Sequence, residues 1–193
     1  MAQTLLVTGG AGFIGSNFII YWLKNHPEDS IINLDKLTYA GNLDNLKEVE
    51  NNPNYTFIRG DIGNKKLVDK IMDDIDVVVH FAAETGTGQS MYEIEKYTDV
   101  NIKGTSIFLD ILANEKHSVE KMIIASSRSI YGEGKYSCLK DGIVYPNERK
   151  DADMVKGDFN VKCPICNENA KLLATDEISK NHPSSIYGIT KQV

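Results

Sequence analysis

Short apolar runs alternate with stretches of helical periodicity along the first two thirds of this sequence. Residues 4–8 and 31–35 are apolar and β-branched without an alternating polar face, which is typical of strands buried on both sides of a parallel sheet. Between them, apolar residues recur at helical spacing from Ile14 to Leu23, and Pro27 marks the end of that helix. The chain therefore opens with a predicted β-α-β unit.

The same alternation continues to a fifth predicted strand. Repeated βα units predict an α/β fold, a Rossmann-like doubly wound parallel sheet with right-handed crossovers and helices on both faces. The further strands are expected at 55–58, 76–81 and 121–125, and the further helices at 42–50, at 64–72 and along the apolar stripe from Val100 to Leu112.

Residues 133–183 break this pattern. They are rich in Lys, Asp, Asn, Gly and Pro and contain all three cysteines. Irregular segments of this length are uncommon and often functional, so this one is interpreted as an insertion or lid beside the sheet. The predicted organisation is a cofactor-binding core at 1–132, the insertion at 133–183, and the start of another helix at 184–193.

A glycine-rich turn joins the first predicted strand to the first helix. The spacing Gly9-x-x-Gly12-x-x-Gly15 lets the backbone turn tightly and approach a pyrophosphate, which the helix N-terminus can bind. Asp35 ends the next strand, where a carboxylate accepts hydrogen bonds from the ribose of an adenosine and repels a 2′-phosphate. Alternatively, the turn is an ordinary connection and Asp35 a helix N-cap or solvated strand end. The combination favours a dinucleotide site for NAD rather than NADP.

A second group of residues could carry chemistry. Tyr187 and Lys191 stand four apart, so on a helix they share one face, and a lysine ammonium beside a phenol favours the phenolate. The hydroxyl-rich segment 126–132 follows the fifth predicted strand, where open α/β sheets bind ligands. Ser127 could there hold the substrate oxygen that Tyr187 deprotonates. The alternatives are a surface pair on a helix and a set of turn hydroxyls.

Together these motifs resemble those of the extended short-chain dehydrogenases/reductases, in their nucleotide-sugar epimerase/dehydratase branch. The resemblance also includes Asp61-Ile62, residues 80–83, and Asn101 with Gly104-Thr105. It implies NAD as the cofactor and Ser127, Tyr187 and Lys191 as the catalytic residues. The residues expected to bind the cofactor are Gly9, Gly12, Phe13, Ile14, Gly15, Asp35, Lys36, Leu37, Thr38, Gly41, Asn42, Asp61, Ile62, Phe81, Ala82, Ala83, Asn101, Tyr187 and Lys191.

The resemblance points to two reactions. Residues 35–42 are similar to dTDP-glucose 4,6-dehydratases, in which an Asp-Glu pair after the catalytic hydroxyl residue protonates the leaving hydroxyl. Arg128-Ser129 stand there instead, so elimination lacks its proton donor. Residues 83–90 and the insertion look more like 4-epimerases of the dTDP-rhamnose kind. The implied function is NAD-dependent 4-epimerisation of a dTDP- or UDP-hexose through a 4-keto intermediate, as in polysaccharide biosynthesis.

Two alternatives to that function stay open, a 4,6-dehydratase and an inactive NAD-binding module. Glu84, Ser127 and Arg128 are the expected substrate contacts, although Glu84 could equally be a solvated loop carboxylate. Relatives in this family continue past the Tyr-x-x-x-Lys helix into a substrate domain. The resemblance therefore implies that the chain is truncated before that domain, that it is inactive alone, and that the full-length protein is a homodimer.

The cysteines suggest a metal site. Cys163 and Cys166 have the C-x-x-C spacing that suits tetrahedral zinc, and Cys138 lies 25 residues earlier. Asp141, His182 or a water would have to complete the ligand set. A structural zinc could fold an insertion without a core of its own. The alternative is three reduced thiols in a mobile loop.

Charge and composition exclude other classes of function. The 21 Lys and Arg against 27 Asp and Glu give a net charge of −6, which argues against a nucleic-acid partner. No apolar run is long enough to span a bilayer, and the basic start of a signal peptide is missing. An odd number of cysteines does not fit a disulfide framework, so a cytoplasmic protein is expected.

Overall fold

The computed structural model describes residues 2–193, which divide into two compact units. The first unit contains the residues up to Glu84 together with Glu95–Ala125. The second contains Thr85–Ile94 and Ser126–Val193. The boundaries at 132 and 183 that the sequence suggested stay predictions.

The first unit is built on a five-stranded parallel sheet, which confirms the predicted α/β class. Its order is β3-β2-β1-β4-β5, so the direction of winding reverses between β1 and β4. At such a reversal the carboxyl ends of two neighbouring strands open a crevice that binds ligands in α/β folds. The strands are β1 (Thr4–Thr8), β2 (Ser30–Asp35), β3 (Tyr55–Arg59), β4 (Val77–His80) and β5 (Lys121–Ile124).

Apolar layers cover both faces of this sheet. Leu6 packs on one face with Phe108 and Ile111, whereas Leu5 and Val7 pack on the other face beneath the first helix. Successive side chains of a strand point to opposite faces, so a strand covered on both sides needs apolar residues at every position. This explains why β1 shows no polar alternation.

Helices connect the strands of the first unit close to their predicted places. The predicted helix at 42–50 is wrong in extent: it is a 3₁₀ turn at Leu43–Leu46, followed by further turns. The backbone N–H of Asn42 and the side-chain amide of Asn45 both donate to the Ala11 carbonyl, which holds this segment on the glycine turn. The helices are α1 (Phe13–Asn25), α2 (Lys65–Met72), α4 (Ile94–Tyr97, of which Ile94 is assigned to the second unit), a π-helix at Thr98–Lys103 and α5 (Gly104–Asn114).

The second unit contains a small antiparallel sheet of order β7-β6-β8. The expectation of an insertion without a core is wrong, because Tyr136, Val144 and Val161 bury their side chains together with two of the cysteines. These apolar residues are isolated in sequence and form a cluster only when the strands pair. The elements are α3 (Thr87–Ser90), a 3₁₀ turn at Arg128–Tyr131, β6 (Tyr136–Cys138), β7 (Gly142–Val144), α6 (Asp151–Met154), β8 (Lys171–Leu172) and α7 (Ile186–Gln192).

From residue 2 to residue 193, none of the helices combines the length and the apolar character that crossing a membrane requires.

Candidate functional site

The glycine turn between β1 and α1 is packed so tightly that three of its glycines cannot carry a side chain. Gly9 has φ +69°, and a β-carbon on it would lie 2.7 Å from the backbone nitrogen of Ala82. A β-carbon on Gly10 would overlap the Asn33 side chain, and one on Gly15 would overlap the Gly9 carbonyl. These three glycines are therefore explained by the fold itself.

Gly12 is different because the protein's own packing does not require it. A β-carbon there would meet only the Gly9 carbonyl oxygen, at 3.4 Å, and φ is an ordinary −76°. Gly12 is also the N-cap of α1, which no side chain caps. The first N–H groups of a helix lack partners within the helix, and such an uncapped end attracts an anion. The open space beside Gly12 therefore fits the pyrophosphate of a dinucleotide.

The Asp35 carboxylate is held rigidly at the end of β2. Its Oδ2 accepts from the Ala11 N–H at 2.9 Å and its Oδ1 from the Leu37 N–H at 2.8 Å. A carboxylate offers about four acceptor positions, so two remain for ribose hydroxyls. Asp35 is buried, and the turn that follows is capped by Asn42 instead. Neither a solvated strand end nor a helix N-cap describes it.

Among the other predicted cofactor residues, Lys36 and Asp61 form an ion pair of 2.5 Å. Burial by itself would raise the pKa of Asp61, but the hydrogen bonds from the Lys36 ammonium and the Gly63 N–H hold that pKa below its ordinary value. The hydrogen bond to Asp61 in turn raises the pKa of Lys36. Asp61 therefore stays a carboxylate beside the Asp35 strand, where it can accept from an adenine.

His80 lies at the centre of a buried chain of hydrogen bonds. Thr105 donates to the Asn101 carbonyl, so it accepts from His80 Nε2, 3.1 Å away. His80 Nδ1 must then accept from the Thr8 hydroxyl at 2.8 Å, and that hydroxyl accepts from the Ala82 N–H. The chain positions the segment that follows β4. Both ring nitrogens of His80 therefore have hydrogen-bond partners inside the first unit.

Asn101 holds Glu84 in the segment that follows β4. The Asn101 amide accepts from the Glu84 N–H at 2.9 Å and donates to the Glu84 carbonyl at 3.0 Å. Asn101 belongs to the π-helix, a rare feature that occurs frequently at functional sites. Glu84 is 6% exposed and pairs with the Lys96 ammonium at 3.2 Å. The alternative of a solvated loop carboxylate is therefore wrong, because burial and a lysine fix this side chain.

The three predicted catalytic residues all belong to the second unit. Ser185 caps α7 by accepting from the Gly188 N–H, and the Ser126 hydroxyl donates to the Lys191 carbonyl. Ser127 caps the 3₁₀ turn by accepting from the Ser129 N–H at 3.1 Å. Its own hydroxyl proton stays available to donate to a substrate oxygen.

Tyr187 and Lys191 stand one turn apart in α7, as their spacing predicted. Burial lowers the pKa of Lys191 below its ordinary value. Within residues 2–193 no carboxylate pairs with its ammonium group. A half-buried lysine without a counter-charge favours anions nearby, including a phenolate on the same helix face.

Arg128 is held by its own turn. Its Nη2 donates to the Gly132 carbonyl at 3.2 Å. Gly132 has φ +58°, and a β-carbon on it would overlap the His182 carbonyl. The His182 N–H also donates to the Ile130 carbonyl at 2.8 Å, so the chain returning from the insertion is fixed on this turn.

The second unit also gathers the predicted metal ligands. The thiols of Cys138, Cys163 and Cys166 converge on the carboxylate of Asp141. His182, the other predicted donor, makes a hydrogen bond to Asn147 Oδ1 instead and is not part of the cluster. Of the donors considered for the fourth position, Asp141 is therefore the one that lies beside the three thiols.

Sequence reasoning did not single out several supporting residues of these sites. Thr8 and Lys96 had no motif to mark them, because their roles depend on their partners His80 and Glu84. Gly10 stood inside a recognised motif, yet its packing against Asn33 had no sequence signal. Asp141, already a candidate ligand, did have a sequence signal, because Cys138-x-x-Asp141 repeats the spacing of Cys163-x-x-Cys166.

Comparison with known proteins gives the family. The family model described as GDP-mannose 4,6 dehydratase matches residues 6–147, most of the chain. The chain belongs to this family. The relatives that the comparisons found are NAD-dependent epimerases and dehydratases of the short-chain dehydrogenase/reductase type, the family that the sequence motifs predicted.

Individual members of the GDP-mannose 4,6 dehydratase family catalyse different reactions. The chain is 35% identical to dTDP-glucose 4,6-dehydratase of Haemophilus influenzae over 98% of its length and 48% of that protein. The DesIV dTDP-glucose 4,6-dehydratase of Streptomyces venezuelae, solved with NAD bound, is 29% identical with a TM-score of 0.72 over 98% of this chain and 48% of that one.

A 4-epimerase has a comparable TM-score at a lower sequence identity. UDP-N-acetylglucosamine 4-epimerase of Methanobrevibacter ruminantium, solved with UDP-N-acetylmuramic acid, is 25% identical with a TM-score of 0.70 over 99% of this chain and 47% of that one. The chain thus spans about half the length of the relatives it matches.

Proposed function

We propose that the protein is an NAD-dependent 4-epimerase of a nucleotide-linked hexose, a dTDP- or UDP-sugar. The observation that carries this choice is the turn after Ser127. Arg128 and Ser129 occupy the positions where the resembling dehydratases have an acidic pair, and Arg128 is held on the Gly132 carbonyl. No carboxylate in that turn can protonate a leaving hydroxyl, so redox at one carbon suits these residues better than elimination.

The first unit fits NAD. Gly12 and the uncapped N-terminus of α1 would hold the pyrophosphate, Asp35 the adenosine ribose, and Asp61 the adenine. When bound, NAD supplies a hydride acceptor that returns the hydride unchanged, so no external reductant is needed. The carboxylate of Asp35 would disfavour the additional phosphate of NADP.

The second unit supplies the proton chemistry. Tyr187 takes the proton of the sugar 4-hydroxyl while Ser127 donates a hydrogen bond to that oxygen. Lys191 stabilises the phenolate, and its half-buried ammonium strengthens this effect because water screens it less. After the 4-keto sugar has turned over in the site, Tyr187 returns the proton. Glu84 and Arg128 are the proposed further substrate contacts.

A dehydratase is the second candidate. The dTDP-glucose 4,6-dehydratase of Haemophilus influenzae matches 98% of the chain, and Glu84 is a buried carboxylate in the segment that follows β4. If Glu84 served as the acid, elimination would not need the acidic pair after Ser127.

One assay separates the two reactions. The protein, at the length at which its host produces it, is incubated with dTDP-glucose or UDP-glucose in deuterated water, and the sugar is analysed by NMR and mass spectrometry. Epimerisation inverts C4 without change in mass and without deuterium at C5. Elimination removes one water and introduces solvent deuterium. Loss of water would overturn the epimerase proposal. The same assay on the 193-residue chain tests the expectation that it is inactive alone.

The catalytic assignment has its own test. Tyr187→Phe removes only the phenolic proton carrier, so kcat should fall about 10²- to 10⁴-fold while NAD binding is retained. Tyr92→Phe changes an exposed phenol in the same unit and should leave kcat unchanged. Equal activity of wild type and Tyr187→Phe would remove Tyr187 from the mechanism.

Further proposals concern assembly and surroundings. On the family resemblance, we propose that the full-length protein is a homodimer. On the composition, we propose a cytoplasmic location. Size-exclusion chromatography with light scattering tests the first, and fractionation of the host cell tests the second. The metal prediction is independent of the enzyme proposal.

A further inference from the structure

Two loops of the second unit bring four metal-binding side chains to one point. Cys138 ends β6 and Asp141 stands in the turn before β7, so one hairpin supplies the first pair. Cys163 and Cys166 lie in the loop between Lys162 and Asn169, which pair as an antiparallel bridge. Their donor atoms all lie within 4.8 Å of one another.

The spacing of these atoms fits one small cation. Asp141 Oδ2 lies 3.2 Å from Cys138 Sγ and 3.1 Å from Cys163 Sγ, and Cys138 Sγ lies 3.4 Å from Cys166 Sγ. Zn–S bonds of about 2.3 Å place the sulfurs of a regular tetrahedron about 3.8 Å apart. The Cys138–Cys166 sulfur distance is about 0.4 Å shorter than that value, and no pair of donor atoms is more than 4.8 Å apart, so the cluster is close to the size that zinc requires.

The loop that carries the second pair is already arranged for a metal. The Ile165 N–H points to Cys163 Sγ at 3.4 Å, a contact that favours a thiolate there. The Cys163 N–H donates to the Glu168 carbonyl at 2.7 Å, and Asn167 adopts φ +62°, which closes the loop tightly. This backbone conformation is costly for most residues, and asparagine tolerates it better than most.

From this geometry we propose that Cys138, Asp141, Cys163 and Cys166 bind one zinc ion with three sulfurs and one oxygen. Soft thiolates select zinc among the abundant divalent ions, and a closed set of four protein ligands is typical of a structural site. Each thiol loses its proton to solvent when the metal binds. The zinc joins the hairpin to the second loop around a core of few apolar residues, a situation in which small proteins rely on metals.

A disulfide explains the cluster less well. Cys138 and Cys166 are close enough to approach a bond, but that pair would leave Cys163 and the carboxylate of Asp141 without a role. It would also require an oxidant. A metal uses all four side chains.

Metal content and affinity test the proposal directly. The full-length protein, purified without added metal, is analysed by native mass spectrometry and by elemental analysis, and zinc affinity is measured by competition with a chromophoric chelator. We expect one zinc per chain. Cobalt substitution should give the ligand-field spectrum of a tetrahedral site with thiolate charge transfer.

Four variants assign the ligands. Loss of a residue that only supports a ligand costs about 10- to 100-fold in metal affinity. Cys166→Ser and Asp141→Asn each change a direct ligand, so each should lower the zinc affinity by about 100-fold or more. Glu168→Gln is the matched control, since its side chain reaches only Lys140 at 3.1 Å, and it should bind zinc like wild type. Asp141→Cys completes a four-sulfur set and should keep one zinc, which excludes general unfolding as the cause of loss.

Each result has one meaning. Wild-type protein that holds no zinc and does not bind added zinc or cobalt overturns the site. A mass lower by two hydrogens with no metal also overturns it in favour of a disulfide. Zinc that persists in Asp141→Asn but is lost in Cys166→Ser overturns the assignment of Asp141.

Discussion

Gly188 lies so close to Ser129 that a β-carbon on it would stand 2.7 Å from the Ser129 carbonyl oxygen. Gly188 follows Tyr187 in α7, and Ser129 belongs to the turn that Ser127 caps. The missing side chain is therefore what allows the helix with the proposed base to approach the turn with the proposed hydrogen-bond donor. The sequence shows this glycine only as a spacer between Tyr187 and Lys191.

Gly188→Ala should separate these two elements. The added methyl group would meet backbone on one side and Pro183 at 3.0 Å on the other, so nothing nearby can yield cheaply. Overpacking of this kind costs about 1–3 kcal/mol. We expect a lower thermal midpoint and a fall in kcat larger than any change in NAD affinity, measured by calorimetry and by the epimerase assay.

Gly88→Ala is the matched control in the same unit. Its β-carbon would meet nothing within 4 Å, and Gly88 lies in α3. Alanine is preferred to glycine in helices by about 1 kcal/mol, so stability should stay the same or rise slightly. Equal effects of both substitutions would contradict the close approach at Gly188.

Gly12→Ala should weaken NAD binding without damage to the fold. The protein leaves room for this methyl group, whereas a bound pyrophosphate would occupy the same space. We expect the dissociation constant for NAD to rise about tenfold or more, equivalent to about 1.4 kcal/mol, in isothermal titration. The thermal midpoint without NAD should be that of wild type.

Gly15→Ala gives the contrasting result. Its methyl group would overlap the Gly9 carbonyl, so the fold itself should be destabilised before any ligand is added. If Gly12→Ala behaved like Gly15→Ala, with a lower midpoint in the absence of NAD, the space beside Gly12 would not be a ligand site.

Asn101→Ala should destabilise the first unit. It would leave the buried N–H and carbonyl of Glu84 without partners, and each unsatisfied group costs about 1–3 kcal/mol. Trp22, the single tryptophan, belongs to α1 in the same unit, so urea unfolding followed by its fluorescence measures the loss. Asn114→Ala, which removes an exposed amide at the end of α5, should change stability by less than about 0.5 kcal/mol.

Lys191 should make stability rise with pH. Burial lowers its pKa in the folded state, so the unfolded chain holds the proton more firmly. The free energy of unfolding therefore increases as the pH rises from the lowered pKa of Lys191 toward the ordinary value near 10.5. Below this pH range the folded protein carries the buried ammonium charge, and the loss of stability from its burial is then largest.

Lys191→Met isolates this effect. The neutral side chain should raise the thermal midpoint at neutral pH, flatten its rise across that window, and abolish turnover. Lys180→Met, at an exposed lysine of the same unit, should change none of these. A Lys191→Met protein less stable than wild type at neutral pH would show that the ammonium is stabilised by its surroundings.

The sequence by itself determined the order of elements in the first unit and which residues follow its strands at the carboxyl edge of the sheet. Apolar runs report burial on both faces, and β-α-β spacing leaves few ways to arrange parallel strands. Gly9, Asp35 and Tyr187 were recognisable because each lies beside a local pattern, a strand end or a helix start. Family resemblance added the cofactor because those patterns occur together.

Only the tertiary structure decided which side chains share a site. Gly10 and Gly12 look alike in sequence, but one packs against Asn33 and the other faces open space. The choice of Asp141 over His182 beside the cysteines depends on strand pairing across the insertion. Hydrogen bonds, packing contacts and metal ligands act over a few ångströms between residues tens of positions apart. Local periodicity in the sequence does not predict which distant residues come into such contact.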